Sequence, residues 1–361
     1  MSGDKKILII YPVDFSNGLN TGIYDKMIGQ GIAYEKQGFD VDYAYLEKGV
    51  GSILQNNVKS QFVGSWLPLW AKYRTFFKAL STYLSSQKYE IFHIRHLIHT
   101  HSLLFFLKKI KTKSNRIFYE YPTLPYEREW RSVFQRLILL EDRWVRKRVE
   151  KYFDKVIHYG GYLGHINSVQ ITNGINSHSD LYIPKYSGGI FTMVAVGRWD
   201  YWHGLDRIIR GLRIARNNIE FIVVGNGPSL QEYKSLVANL GLENKVKFYT
   251  SSYGERLEHI LSKCHLGIGT LAIHRKNVIL DSSLKHRMYC SYGLPFIYAG
   301  IDNDFNQDLE FVFKAVVDES PIDINQMIDD YKSRNIDLSR IKNYAETHLS
   351  WDLRIKKIIG H

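Results

Sequence analysis

The chain lacks the features that define several classes of protein. It has 361 residues but only two cysteines, Cys264 and Cys290, which excludes a disulfide framework and a multi-cysteine metal site. Its uninterrupted apolar runs are short, such as LILL at 137–140, whereas a membrane-spanning helix needs about 18 apolar residues or more. No internal repeat and no low-complexity tract is present. Since 45% of the residues are hydrophobic and 23% are charged, wholesale disorder is excluded as well.

The first residues, MSGDKKILIIYP, contain a short apolar run that ends at Pro12. No small-residue cleavage pattern follows this run, so we interpret it as a first buried strand and not as a signal peptide. Together with the scarcity of cysteine, this interpretation predicts a cytoplasmic protein.

The positive charge is unevenly distributed. Residues 1–180 hold 25 Lys and Arg against 16 Asp and Glu, whereas residues 181–361 hold 23 against 20, within a total net charge of +12. The excess is concentrated in residues 101–116 and 127–153. Such a surface could attract nucleic acid, anionic lipid or a phosphorylated substrate. No nucleic-acid-binding motif accompanies the charge, so we do not expect a nucleic-acid partner.

Short apolar runs alternate with helical patterns along the whole chain, which predicts an α/β architecture. Most of the runs do not alternate apolar with polar residues, as is typical of strands buried on both faces of a parallel sheet. The predicted strands are residues 6–12, 41–46, 91–94, 116–120, 155–160, 170–173, 191–197, 221–225, 245–249, 266–271, 295–300 and 311–317. A helix is predicted to follow Gly204, with one apolar face formed by Leu205, Ile208, Ile209 and Leu212.

The pattern starts again near residue 185, after the small residues of KYSGG at 185–189. We therefore predict two doubly wound units, an N-terminal domain over 1–184 and a C-terminal domain over 185–342, with a closing helix over 343–361. Ligands of such sheets bind at the carboxyl ends of the strands, which predicts a site in the cleft between two facing units.

Three segments of the second half carry a family resemblance: VAVGRWDYWHGLDRII at 194–209, FIVVGNGP at 221–228 and SLKHRMYCSYGLPFI at 283–297. In this order they resemble nucleotide-sugar glycosyltransferases of the GT-B fold, in particular the large retaining family that includes bacterial capsule and exopolysaccharide enzymes. Residues 19–42, 119–129, 171–176 and 348–358 are similar to further segments of that family. The resemblance implies two facing Rossmann-like domains with an interdomain cleft, and a closing helix that returns to the first domain.

The resemblance also implies a site for the donor diphosphate in the C-terminal domain. Arg198 corresponds to the family's diphosphate arginine, and its planar guanidinium can hold phosphate oxygens in two places. His203 stands before Gly204, where the family often has a lysine. A histidine can donate a hydrogen bond to phosphate, but it carries a full charge only when it is protonated.

A helix is predicted to begin near Ser282 or Ser283, and the amides of its first turn, starting at Leu284, would attract an anion. Lys285 would add its charge. By resemblance we place Arg198 and Lys285 among the catalytic residues.

The loop before this helix departs from the family pattern. The family has two glutamates eight residues apart here, the second of which binds the ribose hydroxyls. Met288 stands at the second position, and a thioether cannot bind two hydroxyls as a carboxylate does. Leu280 stands at the first position, so the neighbouring Asp281 would take over that carboxylate's catalytic role. Met288 could also be a simple core residue of the helix.

Other candidate donor contacts lie on glycine turns and aromatic positions. They are Gly22, within Asn20-Thr21-Gly22-Ile23 before a predicted helix, Asn226 and Gly227 after one strand, and Tyr249 and Tyr253 after the next. A glycine turn allows the backbone to approach a ligand closely, and aromatic rings there could stack on the nucleobase. Each of these positions could equally be an ordinary turn residue.

The acceptor is expected to lie on the first domain. Arg95 stands where the family places a histidine, and an arginine cannot act as a base at neutral pH, although it could bind a phosphate. The other candidate acceptor contacts are Tyr121, Thr123, Tyr126 and Glu127, and Glu127 and Glu129 are also candidate bases or ordinary residues of an exposed helix start.

No metal is expected. Residues 89–101 contain four histidines, His93, His96, His99 and His101, but no acidic or cysteine partner stands close to them in the sequence. The family mechanism needs neither a metal nor a protein nucleophile, because the acceptor attacks on the face that the diphosphate leaves. Catalysis would then consist of positioning and electrostatic stabilisation, with a nucleoside diphosphate sugar, UDP-sugar favoured, as substrate and no cofactor.

Two basic aromatic helices leave a membrane partner open. Apolar residues recur at helical spacing in residues 66–84 (Leu69, Tyr73, Phe76, Phe77, Leu80) and in residues 127–153 (Trp130, Val133, Phe134, Leu137, Trp144). Both segments could lie on an anionic membrane next to a lipid-linked acceptor, or could pack on the sheet with their charges in water. The leading hypothesis is a hexosyltransferase that acts on a bacterial surface glycan. A catalytically silent homologue that binds a glycan or a partner enzyme, and a nucleotide-sugar epimerase, are the alternatives.

Overall fold

The computed structural model describes residues 5–16, 20–55, 58–63, 69–112, 115–129, 133–160, 164, 167–175, 183–216, 218–250, 252, 254–306 and 308–360. For residues 63, 69–73, 128–129 and 133–135 it describes the backbone alone. The chain divides into two compact units, which are residues 1–171 with 351–361 (unit 1) and residues 172–350 (unit 2).

Strands and helices alternate along the chain. The strands are β1 (Lys5–Asp14), β2 (Phe39–Glu47), β3 (Val50–Gln55), β4 (Val58–Val63), β5 (Ile91–Arg95), β6 (Arg116–Tyr121), β7 (Lys155–His158), β8 (Ser168–Gln170), β9 (Phe191–Arg198), β10 (Ile219–Asn226), β11 (Val246–Tyr249), β12 (Leu266–Ile268), β13 (Phe296–Ala299) and β14 (Val312–Ala315). The helices are α1 (Thr21–Glu35), α2 (Leu69–Tyr83), α3 (His101–Ile110), α4 (Val133–Val149), α5 (Leu205–Leu212), α6 (Leu230–Asn239), α7 (Glu255–Leu261), α8 (Leu284–Tyr292), α9 (Ile324–Ser333), α10 (Leu338–His348) and α11 (Trp351–Ile359).

Unit 1 contains an eight-stranded sheet in the order β4-β3-β2-β1-β5-β6-β7-β8. The six strands from β2 through β1 and β5 to β8 are parallel to one another, as the unbroken apolar runs predict. Strands β3 and β4 were not predicted, and they add an antiparallel hairpin to the β2 edge. The predicted strand at 170–173 is shifted, since β8 ends at Gln170.

Both faces of this sheet are covered, which explains why β1 is apolar at consecutive positions. Ile7 and Ile9 point into the core that contains Trp351 of α11, together with residues of α1. Leu8 and Ile10 point into the opposite core, which contains Phe76 of α2 and residues of α3 and α4.

Unit 2 contains a wholly parallel sheet, in the order β11-β10-β9-β12-β13-β14, among the strands described. Its order corresponds to 3-2-1-4-5-6, the doubly wound arrangement of Rossmann-like domains. The predicted helix after Gly204 is confirmed as α5, and its apolar face is buried in the core of the unit at Leu205, Ile208, Ile209 and Leu212.

The unit boundaries differ from those predicted. The first division falls between Ile171 and Thr172, and not after residue 184, because hydrogen bonds hold Asn173 to Ser282 and to Arg287 of α8. At the other end, residues up to Ser350 stay with unit 2, since α10 packs against α8. The segment that starts at Trp351 belongs to unit 1, where Asp352 pairs at 2.8 Å with Lys36, the residue that directly follows α1.

The apolar stripe of α2 packs inward. Phe76, Phe77 and Leu80 are buried in unit 1, which agrees with the alternative that this segment packs on the sheet and not with the alternative that these side chains contact a membrane. Leu69 and Tyr73 lie outside the described side chains. Of the helices in the described part of the chain, none is long and apolar enough to cross a bilayer.

Candidate functional site

The strand order of unit 2 locates a binding position. The order of the strands changes side at β9: β10 and β11 follow on one side of it, and β12 to β14 follow on the other. The connections after β9 and β12 therefore leave in opposite directions and open a crevice at the carboxyl ends of these two strands. Arg198 is the last residue of β9 and lies in register with Asn226, the last residue of β10. The sequence motifs that carry the resemblance therefore meet at this edge.

Three nitrogen donors lie close together at this position. Arg198 is exposed, and it makes no ion pair with the residues that the structure describes. The Lys285 side chain passes over the end of β9, since a Cβ added at Gly197 would lie 3.7 Å from its Nζ. His203 lies in the same place, because its ring centroid is 5.5 Å from that of Trp199, the ring over which the Lys285 Nζ lies at 5.3 Å. Such a group is suited to binding a diphosphate.

Lys285 is held in an apolar setting. Its Nζ lies 5.3 Å from the ring centroid of Trp199, which is fully buried. Burial lowers the pKa of Lys285 to about 8, against the opposing effect of Asp281 and then of Asp200. No hydrogen bond or ion pair of the ammonium exists within the described part of the chain. The ammonium is therefore charged at pH 7 and available to an anion.

His203 is a neutral hydrogen-bond donor. Burial and then the charge of Lys285 hold its pKa well below the ordinary value. Nδ1 lies 2.9 Å from the backbone N of Asp200, whose N–H donates to it, and 3.2 Å from the carbonyl O of the same residue; the shorter contact favours the neutral ring with its proton on Nε2. His203 thus replaces the family's lysine with a directed N–H and no charge.

Two glycines allow neighbouring backbone segments at this edge of the sheet to lie close together. Gly227 has φ of +153°, and a Cβ there would lie 2.4 Å from the backbone N and O of Trp199. Gly204 has φ of +70°, and a Cβ would lie 2.9 Å from the backbone N of Ala272. Side chains at these two positions would force the turns apart, so both glycines are needed to shape the edge.

The first turn of α8 starts without a side-chain cap. Ser283 occupies the N-cap position, but its hydroxyl makes no capping hydrogen bond to the helix that begins at Leu284. Ser282 is not the cap either, since its Oγ accepts the backbone N–H of Asn173 at 2.7 Å. The amides of the first turn are thus free of a competing hydroxyl, and Lys285 lies among them.

Met288 is partly buried against the core of unit 2, as its interpretation as a core residue predicts. Asp281 lies near Lys285, and both side chains are half-buried. Asp281 is held by its backbone N–H, which donates to the carbonyl of Ile301 at 2.8 Å. Its carboxylate makes no hydrogen bond or ion pair with the described residues, so it can accept hydrogen bonds from hydroxyl groups.

The remaining donor candidates differ in their setting. Asn226 is exposed, and its Oδ1 accepts the backbone N–H of Gly227 at 2.8 Å, so the side chain shapes the turn. Tyr249 ends β11, which neighbours β10, and it is 37% exposed. Tyr253 lies outside the described residues. Gly22 is exposed in the first turn of α1 in unit 1, whose N-cap residue Asn20 makes no side-chain capping bond.

Sequence reasoning missed three members of this region. Trp199 lies beneath Lys285, Asp200 positions His203, and the charge of Lys276 acts on the His203 ring. Trp199 and Asp200 stand next to Arg198 in the sequence, and that adjacency was the available signal. Lys276 reaches the group from the distant 3-10 turn at Ile273–Lys276, which no local pattern indicates.

In unit 1 the strand order reverses between β1 and β5, and Arg95 is the last residue of β5. Its guanidinium lies 5.3 Å from the Tyr11 ring centroid and 3.5 Å from Oε1 of the buried Glu120. Lys26 contacts the same carboxylate at 2.7 Å. Burial would raise the pKa of Glu120, but Lys26, His93 and Arg95 hold it well below its ordinary value. Two cations thus share one carboxylate.

The predicted tyrosine contacts to an acceptor are not available here. Tyr121 and Tyr126 are buried, and their hydroxyls bond to Nε2 of His99 at 3.0 Å and to Asp142 at 2.8 Å. Tyr126 is held by the hydrogen bond from its turn to Asp142 of α4, and Tyr121 by its place at the end of β6. Thr123 is half-buried.

Glu127 is ion-paired with Arg146 at 2.7 Å, which reduces its suitability as a base. The side chain of Glu129 lies outside the described residues.

The histidines of residues 93–101 have structural partners. Nε2 of His93 contacts Glu120 at 2.9 Å, Nδ1 of His99 contacts Asp142 at 2.8 Å, and Nδ1 of His101 contacts Glu141 at 2.8 Å. Nδ1 of His96 bonds to the hydroxyl of Tyr119 at 2.9 Å. Within the described ranges, no group of histidines, cysteines and carboxylates has an arrangement that could hold a metal ion.

Comparison with known proteins shows what the second unit is similar to. Residues 187–269 match the family model described as glycosyl transferases group 1, and this segment contains Arg198 and His203. The two sheets of parallel strands flanked by helices, together with the solved structures described below, show the GT-B fold, and the matched segment of unit 2 is similar to group 1 glycosyl transferases.

Solved structures extend the likeness over the whole chain. The sucrose-phosphate synthase from Thermosynechococcus elongatus superposes with a TM-score of 0.69 at 13% identity, over 98% of each chain. Anabaena Alr3699/HepE in complex with UDP-glucose gives a TM-score of 0.65 at 14% identity, over 98% of this chain and 99% of that one. WaaG, a glycosyltransferase involved in lipopolysaccharide biosynthesis, gives 0.65 at 11% identity, over 98% of this chain and 100% of that one. No curated protein matches the sequence.

Proposed function

We propose that the protein transfers a hexose from a nucleoside diphosphate sugar, with UDP-sugar favoured, to a glycan or lipid-linked oligosaccharide acceptor. The observation that carries this proposal is the group of donors at the carboxyl edge of unit 2, formed by Arg198, Lys285 and Nε2 of His203. Each lacks a partner among the described residues. Unit 2 would hold the donor and unit 1 the acceptor.

These donors suit the departure of a diphosphate. As the bond from the sugar to the diphosphate breaks, negative charge grows on the phosphate oxygens, and fixed cations nearby stabilise that charge. Arg198 can hold two oxygens at once, while Lys285 and the uncapped turn of α8 offer further donors. Removing a single such donor typically lowers kcat by about 10²–10³.

The reaction proceeds with retention and without metal in this proposal. The acceptor hydroxyl attacks on the face that the diphosphate leaves, and a phosphate oxygen takes its proton. Arg198 and Lys285 meet the charge of the diphosphate, so no step needs a protein nucleophile. The carboxylate of Asp281 would accept a hydrogen bond from a hydroxyl group of the sugar.

The acceptor would contact Arg95. Its guanidinium and the Lys26 ammonium share the single carboxylate of Glu120, which leaves net positive charge at the carboxyl end of β5. A phosphate of a lipid-linked acceptor fits that charge, and this supports a role in bacterial surface polysaccharide synthesis.

A second candidate is a catalytically silent protein that binds a glycan or a partner enzyme. It is favoured by Met288, which packs against the core of unit 2 and offers no oxygen to a ribose. This candidate predicts that no nucleotide is bound with useful affinity.

The test is a thermal-shift panel with UDP, GDP, TDP and CMP, with and without EDTA, followed by assay of nucleotide release from the matching sugar donor. We expect saturable stabilisation by one nucleoside diphosphate that EDTA does not change. Arg198→Ala should lower kcat/KM by about 10²–10³, whereas Arg210→Ala, an exposed arginine of α5, should not.

Stabilisation by none of the nucleotides would favour the silent protein. Conversion of the donor sugar in the absence of any acceptor would indicate an epimerase and contradict the proposal. Full transfer activity in Arg198→Ala would refute the assignment of the site.

A further inference from the structure

Helix α4 has an exposed face that is both apolar and basic. Leu137, Leu140 and Trp144 are 59%, 59% and 60% exposed. They follow the spacing i, i+3 and i+7, so they form one continuous stripe along the helix. Single exposed apolar residues are ordinary on a protein surface, but an aligned stripe that contains a tryptophan indicates a contact surface.

Cations flank this stripe on both sides. Arg136, Arg143 and Lys147 lie on one side of it by helical position, and Arg148 lies on the other, with its guanidinium 3.9 Å from the Trp144 ring centroid. All four are exposed, and within the described part of the chain none is ion-paired. Their charge is therefore available to an external partner.

The acidic residues of α4 do not offset this charge. Asp142 is buried and bonded to His99 and Tyr126. Glu141 is mostly buried and engaged by Arg74 and His101. The exposed face of α4 thus carries only positive charge at its described positions, which an ordinary solvated helix face does not.

The neighbouring helix α3 extends the same character. It packs against α4, and the ring of its first residue, His101, lies 5.1 Å from the ring of Trp144. Phe105 is 51% exposed, and Lys108 and Lys109 are exposed without ion pairs to described residues. The surface formed by the exposed residues of α3 and α4 is named the basic aromatic face below.

We propose that the basic aromatic face docks the protein onto an anionic phospholipid surface, with Trp144, Leu137 and Leu140 entering the interface. An aromatic and aliphatic stripe flanked by arginine and lysine is the combination that lies at the boundary between headgroups and acyl chains. A second copy of the chain fits less well, because a two-fold contact would set like charges against each other. Nucleic acid would pair with the cations but would leave the apolar stripe unused.

This inference is independent of the proposed transfer reaction, since docking needs no nucleotide and no acceptor. The experiment is flotation of the full chain with vesicles of 3:1 phosphatidylcholine to phosphatidylglycerol, and with pure phosphatidylcholine, at low and high salt. We expect binding to the anionic vesicles that weakens at high salt. Lipids brominated near the headgroup should quench tryptophan emission, and Trp144→Phe should remove most of that quenching.

Paired variants identify the face. Arg143→Gln with Lys147→Gln should weaken vesicle binding by about fivefold for each charge removed, and Leu137→Ser with Leu140→Ser should weaken it further. Arg210→Gln with Arg213→Gln is the matched control, because it removes the same charge from exposed positions of unit 2. Circular dichroism melting would verify that each variant is folded.

Equal binding by the α4 variants and the control, or no binding to anionic vesicles at either salt, would overturn the proposal. Tighter binding to a labelled DNA duplex than to vesicles would indicate a nucleic-acid surface instead. A dimer in sedimentation velocity that Leu137→Ser with Leu140→Ser abolishes would indicate an interface between copies, and would overturn it too.

Discussion

Replacing Lys285 with methionine should affect folding stability and nucleotide binding in opposite directions. The ammonium lies over the buried Trp199 ring, and the structure gives it no ion pair among the described residues. Burial lowers its pKa from 10.5 to about 8. Each unit of this difference corresponds to about 1.4 kcal/mol, and solvent screening of a half-buried group reduces the total. We expect Lys285→Met to stabilise the free protein by about 1–3 kcal/mol.

Nucleotide binding should weaken in the same variant. A charge-assisted hydrogen bond to phosphate contributes about 1.5–3 kcal/mol, which corresponds to a loss of about 10–150-fold in affinity for UDP. Urea unfolding measures the first effect and isothermal titration calorimetry the second. Lys234→Met, at an exposed position of α6, is the control and should change neither quantity. A variant that loses both stability and affinity would show that Lys285 has a structural role, and would refute the reasoning.

The pH dependence follows from the same pKa. Above about pH 8 the Lys285 amine becomes neutral, so UDP affinity should fall as the pH rises from 7 to 9. The free energy of unfolding should rise with pH, because the folded state disfavours the charged amine. This cost is relieved between about pH 8, the pKa in the folded protein, and 10.5, the pKa in the unfolded chain. Lys285→Met should show neither change. The difference between the pH profiles of the two proteins therefore gives the contribution of Lys285 alone. His203 stays neutral over this range and contributes nothing.

Two further predictions concern the framework. Glu120→Gln leaves the buried Lys26 ammonium without its carboxylate, so the free energy of unfolding in urea should fall by about 3–5 kcal/mol. Adding Lys26→Met should recover most of this loss. A double variant no more stable than Glu120→Gln would contradict the prediction. Gly227→Ala places a Cβ 2.4 Å from the backbone of Trp199, so it should cost about 2–4 kcal/mol in thermal unfolding. Gly241→Ala, also at positive φ but with open space around its Cβ, is the control, and an equal loss there would argue against the clash.

Buried parallel strands were the most predictable part of the fold. Strands such as β1 and β9 lie between two layers of helices, so their apolar runs are unbroken and visible in the sequence. The hairpin of β3 and β4 was missed because it lies at the sheet edge, where Val58 is 66% exposed and the apolar pattern is weak. Edge strands owe their pairing to neighbours that local pattern does not reveal.

The boundary between the units depends on distant contacts. The flexible composition of residues 185–189 suggested a division near residue 184, whereas the structure divides the chain after Ile171. Arg287 donates to the carbonyl of Asn173 at 3.0 Å and also pairs with the buried Asp302, which ties residues 172–175 to unit 2. Composition shows where a chain can bend, and it does not show which unit holds the segment.

The candidate site was predictable where function imposes a residue type next to a strand end. Arg198 was predicted from the end of β9 and Lys285 from the start of α8, both with the help of the family resemblance, and the structure places both near His203, while their function stays a prediction. Tyr121 and Tyr126 were misjudged as acceptor contacts because their hydroxyls satisfy buried partners on other elements. Hydrogen bonds between distant elements decide whether a polar side chain is free, and a single sequence does not contain that information.

The central claim is that unit 2 binds a nucleoside diphosphate through Arg198 and Lys285. The most direct measurement is calorimetric titration of the full chain with UDP and with uridine, in buffer that contains EDTA. We predict saturable binding of UDP, far weaker binding of uridine, and loss of UDP binding in Arg198→Ala. Equal affinity for UDP and uridine, or unchanged UDP binding in Arg198→Ala, would contradict it.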